Sequence, residues 1–163
     1  MPLTYLGIDF TRAKVLNDIA ANAADIKDRQ FASINQVIVN EPKKYDFQKA
    51  LSRYAVTNDI SLVNAKNANI DAEKIIESGD TKQEQFTKST IESIVKEYQF
   101  SDKKGIGLML IMESMNKASA TASMHVTFID MSTGKVLLTE RMTAKAAGFG
   151  FRNYWAKTVY EVL

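Results

Sequence analysis

An uninterrupted apolar run over residues 106–112 limits most strongly what this chain can fold into. Its residues are Ile-Gly-Leu-Met-Leu-Ile-Met, so both alternating faces of an extended segment would be apolar. A strand of this kind is stable only when it is covered above and below. The run therefore predicts the central strand of a sheet with helices packed on it. Glu113, Asn116 and Lys117 are expected to mark the exit of this strand to water.

A hairpin is predicted directly after the central strand. Residues 122–130 alternate between apolar and polar, with Met124, Val126 and Phe128 expected to point inward. The segment Ser132-Thr133-Gly134 has the composition of a tight turn, and its glycine can adopt a positive φ. Residues 135–143 then form the returning antiparallel strand. A final helix is expected from about residue 151 to the end of the chain.

The first hundred residues predict further strands and helices around this sheet. Residues 17–40 follow a helical period that includes Ile19 and is interrupted near residue 30, and Pro42 ends it. Thr81 and Glu84 form a capping-box pattern before another apolar stripe. The remaining predicted elements are a strand over 3–10, a short helix after Asp46, a strand over 60–65 and a short helix after Asp71. Residues 13–16 either extend the first strand or start a second short one.

These elements predict the fold class. A chain of 163 residues is about one domain long, so residues 1–163 are expected to form a single domain. The order of elements predicts an α/β (α+β) fold with a single mixed sheet of about five strands and helices packed on it. A C-terminal antiparallel hairpin and a terminal helix complete this prediction.

Composition excludes several classes of function. The absence of cysteine excludes disulfides, thiol catalysis and zinc sites built on thiolates. The 21 basic and 19 acidic residues are mixed along the chain, so no basic block favours nucleic acid as a partner. No apolar run approaches the roughly 18 residues that a membrane-spanning helix needs. The sequence predicts no nucleic acid partner, no transmembrane segment and no metal or other cofactor.

Catalytic residues are not recognisable in this sequence. His125 is the single histidine, and its place in the alternating segment predicts that it faces solvent. No G-x-S-x-G pattern marks a nucleophilic serine. Paired carboxylates such as Asp71 and Glu73 are explained by solvated helix faces. The sequence therefore favours a protein that is not an enzyme, and we assign no catalytic residue.

The segment from Gly148 to Trp155 is the main candidate for a binding site. Its glycines precede a helix, whose free backbone amides can bind an anion, although the pattern lacks the third glycine of a dinucleotide site. Aromatic side chains are dense here, and a helix can bury only one face. The candidate binding residues are Phe149, Gly150, Arg152, Asn153 and Tyr154, together with Asp9 near the end of the first predicted strand.

A family resemblance is carried by the pattern Asp130-x-x-Thr133-Gly134-Lys135-Val136. It resembles the penultimate hairpin of envelope α/β domains, such as the curli-secretion lipoprotein and the N-terminal domain of the Tol translocation protein. The ending Gly-Phe-Gly-x-Arg-Asn-Tyr-Trp is similar to that of uncharacterised secreted proteins of Gram-negative bacteria. The resemblance implies a periplasmic or secreted binding and assembly domain. The first residues lack the pattern of a signal peptide, so this location rests on the resemblance alone.

Two hypotheses of function follow. The first is a non-enzymatic envelope or secreted domain that contacts a protein or another envelope component through an exposed sheet edge and the turn at 148–153. The second is a small-molecule-binding protein or enzyme that uses a crevice near Asp9 and Gly150. The sequence does not identify a ligand or an oligomeric state.

Overall fold

A computed structural model of the chain describes residues 3–53, 55–77, 84–100 and 102–163. Seven strands in these ranges form one sheet. Their bounds are β1 (Leu3–Asp9), β2 (Lys14–Leu16), β3 (Val56–Asn58), β4 (Ile76–Glu77), β5 (Ile106–Asn116), β6 (Thr121–Asp130) and β7 (Lys135–Lys145).

The long strand β5 lies at the centre of the sheet. Along one edge it pairs in parallel with β1 and then, further along, with β2. The short strands β3 and β4 extend the sheet on that side, again in parallel. Along its other edge β5 pairs antiparallel with β6, which pairs antiparallel with β7 around the turn at 131–134. The sheet is therefore mixed, with four parallel pairings and two antiparallel ones.

The predicted number of about five strands is wrong, because the sheet has seven. One reason is that β1 and β2 share a single edge of β5 and are separated only by residues 10–13. The other is that β3 and β4 contain three and two residues, which is too short to show a period in sequence. The parallel arrangement of the first four strands was also not predicted.

Helices cover both faces of this sheet. The bounds of the α-helices are α1 (Ala23–Asp25), α2 (Phe31–Asn40), α3 (Phe47–Ala50), α4 (Ser61–Asn67), α5 (Lys88–Lys96) and α6 (Phe151–Val162). A π turn over Ile26–Gln30 joins α1 to α2 at the predicted interruption. A single 3-10 turn over Ala72–Lys74 follows Asp71, whose side chain caps it.

Two hydrophobic clusters lie on the two faces of the sheet. The α6 face contains Trp155 and Val159 packed with side chains of α2 such as Ile34. The α5 face contains Ile91 and Ile94, packed on alternate residues of the same central strand. Both faces of β5 are therefore buried, as the apolar run predicts.

Two predictions for the middle of the chain need correction. The strand predicted over 60–65 is the helix α4, in which Val63 and Asn67 are one turn apart and both buried. A stretch this short and apolar fits either period, and burial on a single face selects the helix. The capping box of Thr81 and Glu84 lies partly outside the described residues, and α5 begins instead with reciprocal hydrogen bonds between Thr87 and Thr90.

Candidate functional site

The turn between β7 and α6 has the backbone geometry that its two glycines allow. Gly148 has a φ of 122° and Gly150 a φ of 81°, both in the region that favours glycine. Gly150 is the N-cap residue of α6, and its carbonyl accepts a hydrogen bond of 3.0 Å from the Tyr154 amide. A Cβ at Gly150 would meet no atom within 4 Å. The glycines are therefore required by φ and not by crowding.

The aromatic side chains after this turn separate into buried and exposed ones. Trp155 is buried, and the rings of Tyr154 and Phe151 pack edge-on against it at centroid distances of 4.8 and 6.3 Å. Phe149 is 95% exposed. The three packed rings anchor α6 to the sheet, whereas Phe149 contributes nothing to the core.

A groove of about 300 Å³ lies at the start of α6. Ile26, Phe151 and Trp155 supply its apolar part, and the loop around residues 18–22 forms one wall. Lys117, from the turn after β5, reaches across the Tyr154 ring with its Nζ 3.6 Å from the centroid. The polar lining includes Asp18 and Asn22. The groove therefore has an apolar floor and a polar rim.

Two large apolar side chains are exposed to water at residues next to those that line this groove. Ile19 is fully exposed and lies between the lining residues Asp18 and Ala20. Phe149 lies between the lining residues Gly148 and Gly150. The sequence prediction of a helical stripe through Ile19 is wrong, because α1 begins only at Ala23. The signal that could have indicated a loop is Asn17-Asp18, residue types that favour turns.

Of the other predicted site residues near α6, Tyr154 and Gly150 line the groove, whereas Arg152 and Asn153 do not. Both Arg152 and Asn153 are exposed, and the Arg152 Nε donates a hydrogen bond of 3.1 Å to the Asn153 Oδ1. They lie in the first turn of α6. The structure therefore brings two of the predicted residues, Gly150 and Tyr154, to one groove, and Phe149 is next to Gly150 in the chain without lining it.

Asp9 belongs to a different part of the molecule. Its carboxylate is buried and accepts hydrogen bonds from the Thr11 amide and hydroxyl, at 2.8 and 2.6 Å, and from the Tyr98 hydroxyl. Burial raises the pKa of Asp9, and these hydrogen bonds act in the opposite direction. Tyr98 belongs to the α5 face, whereas the groove at Gly150 lies on the α6 face. Asp9 therefore does not line the groove at Gly150.

A buried ionic cluster joins β5, β6 and β7 on the α5 face. Glu113 is 5% exposed and His125 is 4% exposed, so the predictions that both face water are wrong. The Glu113 carboxylate accepts hydrogen bonds from the His125 Nε2 at 3.0 Å and from the Arg141 Nη2 at 2.7 Å. The Arg141 Nε donates a third bond of 3.1 Å, and the Phe86 amide donates a fourth of 2.7 Å. Polar residues are buried here because each has a partner on a neighbouring strand or loop.

The electrostatics of this cluster favour an ionised carboxylate. Burial acts to raise the pKa of Glu113, but the hydrogen bonds from His125, Arg141 and the Phe86 amide together lower it to about 2. Because an ionised carboxylate can only accept, the His125 Nε2 carries the shared hydrogen. The Phe86 ring stacks on the imidazole at a centroid distance of 5.7 Å. This closed arrangement holds three strands together.

Metal and membrane sites are not indicated by the described part of the chain. Within those ranges, no three His, Cys, Asp or Glu side chains converge to hold a metal ion. None of the described helices is long and apolar enough to span a bilayer.

The fold and the groove define an α/β domain with a mixed sheet and a surface site at the start of its last helix. No family model and no curated protein matches this sequence. Among solved structures, the chain is similar to the LpoB C-terminal domain from Salmonella enterica, with a TM-score of 0.34 and 12% identity. The alignment covers 88% of this chain and 81% of that one. A TM-score of this size carries no argument about function.

Proposed function

We propose that this chain is a non-enzymatic protein-binding domain whose binding site is the groove flanked by Ile19 and Phe149. The observation that carries the proposal is the exposure of these two side chains, each of which is next in the chain to residues that line one groove. Burying a side chain of this size contributes about 1.5–3 kcal/mol. Two such side chains beside an apolar floor could therefore act as binding hot spots.

The composition of the groove suits a protein partner better than a small polar ligand. An apolar centre with a polar rim is the usual pattern of a protein interface. Ile26 and Trp155 lie in the floor, and Asp18, Asn22 and Lys117 lie at the rim. The partner side chain that enters the groove is accordingly apolar, and its neighbours are polar. The resemblance of the hairpin and the final helix to envelope proteins supports a periplasmic or secreted location for this interaction.

Affinity isolation from the native host tests this proposal. Tagged wild type is compared with Ile19→Ser, Phe149→Ser and Arg152→Ala, and Leu163→Ala serves as control because it is an exposed apolar residue outside the groove. Proteins recovered with wild type and with the control should be lost with Ile19→Ser and Phe149→Ser. Arg152→Ala should weaken recovery less, since Arg152 lies beside the groove. Unchanged recovery with both serine variants, with circular dichroism like that of wild type, would refute the proposal.

The alternative function, a small-molecule-binding protein or enzyme that uses Asp9 and Gly150, has less support. Asp9 bonds to Tyr98 of the α5 face, whereas Gly150 begins α6, which packs on the other face. A thermal-shift screen against phosphate, nucleotides and sugars tests it. A ligand-dependent rise in melting temperature that Asp9→Asn abolishes would favour this alternative over the protein-binding proposal.

A further inference from the structure

In the described part of the chain, the outer edge of β7 is long and has no strand paired to it. Among the described residues β7 pairs only with β6, so the backbone groups on its other side lack a strand partner. The opposite side of the sheet ends in β3 and β4, which contain only three and two residues. Proteins commonly protect sheet edges with short strands, prolines or bulges, because a free edge pairs readily with another strand. The β7 edge has eleven residues and no proline.

A bulge near the start of β7 leaves most of this edge regular. Phe128 pairs with Leu138 while Ile129 pairs with Val136, so Leu137 is the additional residue. From residue 138 to residue 145 the pairing with β6 continues without a shift. Eight residues are longer than an average strand. This length is sufficient to accept another strand.

The two faces of this regular segment differ in chemistry. Cross-strand pairing places one set of residues on the α6 face and the alternate set on the α5 face. Leu138 on the α6 face is 59% exposed, and Met142 is the second residue after it on the same face. The α6 set is Leu138, Glu140, Met142 and Ala144, and the α5 set is Thr139, Arg141, Thr143 and Lys145.

From this pattern we infer that β7 binds an extended segment of another polypeptide as an additional antiparallel strand, whose apolar and charged residues complement those of β7. Backbone hydrogen bonds to the free edge supply affinity, and alternate side chains supply specificity. Apolar residues of the segment face Leu138 and Met142, carboxylates face Arg141 and Lys145, and a basic residue faces Glu140. The inference extends the proposed protein-binding function to a surface other than the groove.

A second copy of this chain fits the edge less well. In a twofold pair of β7 strands, residues that face each other must lie on the same face. A register centred on Glu140 places Glu140 opposite Glu140 of the second copy, and a register centred on Arg141 does the same for Arg141. A register centred on Thr143 places Arg141 opposite Lys145. Like charges directly opposite each other destabilise a sheet. The register centred on Met142 avoids this repulsion but provides no carboxylate for either basic residue.

Peptide binding tests the inference directly. The probe is the capped peptide Glu-Val-Thr-Val-Glu-Lys-Thr-Val, which matches residues 145 to 138 in antiparallel order. Its partner probe, Lys-Val-Thr-Val-Lys-Glu-Thr-Val, has the charges exchanged. Fluorescence polarisation measures affinity, and amide hydrogen exchange locates the binding site. About four of the eight amides over residues 138–145 should gain protection, because alternate residues of an antiparallel strand point to the free edge.

The charge pattern should determine affinity. The exchanged peptide should bind on the order of tenfold more weakly, since it replaces favourable cross-strand charge pairs with like-charge pairs. Lys145→Glu should weaken binding of the first peptide and improve binding of the exchanged one. Lys145 is chosen over Arg141 because Arg141 bonds to Glu113 in the buried cluster. Phe149→Ser, next to the groove, should leave peptide affinity unchanged, which separates failure of this inference from failure of the proposed function.

Three results would overturn the inference. Equal affinity for the two peptides would exclude recognition by charge pattern. Absence of new protection over residues 138–145 at millimolar peptide would exclude this edge as the site. A stable dimer in light scattering, with protection at β7 in the free protein, would assign the edge to a second copy.

Discussion

Removing the charge of Glu113 should strongly destabilise the protein. In Glu113→Gln the side chain keeps its size, but the new NH2 group must point its hydrogens at one of the groups that donate hydrogen bonds to the Glu113 carboxylate. These donors are the Phe86 amide, the His125 Nε2 and the Arg141 guanidinium. Removing one partner of a buried ion pair costs about 3–5 kcal/mol. Because Arg141 is one third exposed and can rehydrate, we expect about 3 kcal/mol.

The pKa of Glu113 supports a cost of this size. Its value of about 2 lies below the ordinary 4.5, and each unit of difference corresponds to about 1.4 kcal/mol. After allowance for water at Arg141, the ionised form stabilises the fold by about 2–3 kcal/mol. A carboxyl group whose pKa is lower in the folded state than in the unfolded state contributes its full stabilisation at pH values above the unfolded-state pKa. Wild type should therefore lose this contribution as the pH falls from about 4.5 to about 2.

Urea unfolding at several pH values measures both effects. Fluorescence of Trp155, the single tryptophan, and circular dichroism report the transition. At about pH 7 the variant should be less stable by about 3 kcal/mol, or about 6–12 °C in melting temperature. The difference between wild type and variant should shrink as the pH approaches 2. Glu161→Gln is the control, since it removes only an exposed pair with Lys157 and should change stability by less than about 0.5 kcal/mol.

The reasoning about Glu113 would be refuted by a small or pH-independent difference. If Glu113→Gln and Glu161→Gln were equally stable at neutral pH, the buried cluster would not hold the strands together. A difference that stayed constant down to about pH 2 would show that the carboxylate charge is not its source.

Two further substitutions test local packing, again by urea unfolding. Gly7→Ala should destabilise the protein by about 3 kcal/mol or more, because Gly7 has a φ of 97° and a Cβ would lie 2.7 Å from Val63 Cγ2. A variant as stable as wild type would show that β1 can shift to accommodate the Cβ. Tyr5→Phe should be neutral or stabilising, because the buried Tyr5 hydroxyl has no hydrogen-bond partner within the described residues; a loss above about 1.5 kcal/mol would reveal a bond to this hydroxyl.

Local chemistry made part of the candidate site predictable. The glycines at 148 and 150 and the aromatic residues after them indicated a turn into an anchored helix, and both glycines have positive φ. Phe149 was expected near the surface because a helix buries only one face, but it is exposed because it lies in the turn before α6. Ile19 could not be found in this way. Its exposure depends on where α1 begins, and the helical period of the sequence continues past that point.

The sequence by itself determined the elements whose patterns are complete over a few residues. These include the doubly apolar strand β5 and the terminal helix α6. Tertiary structure decided which distant segments meet. Glu113 and His125 are buried only because Arg141, 28 residues beyond Glu113, lies on the next strand and supplies the opposite charge. Likewise β1 and β2 share one edge of β5. Such pairings depend on contacts between remote residues, which a local pattern does not encode.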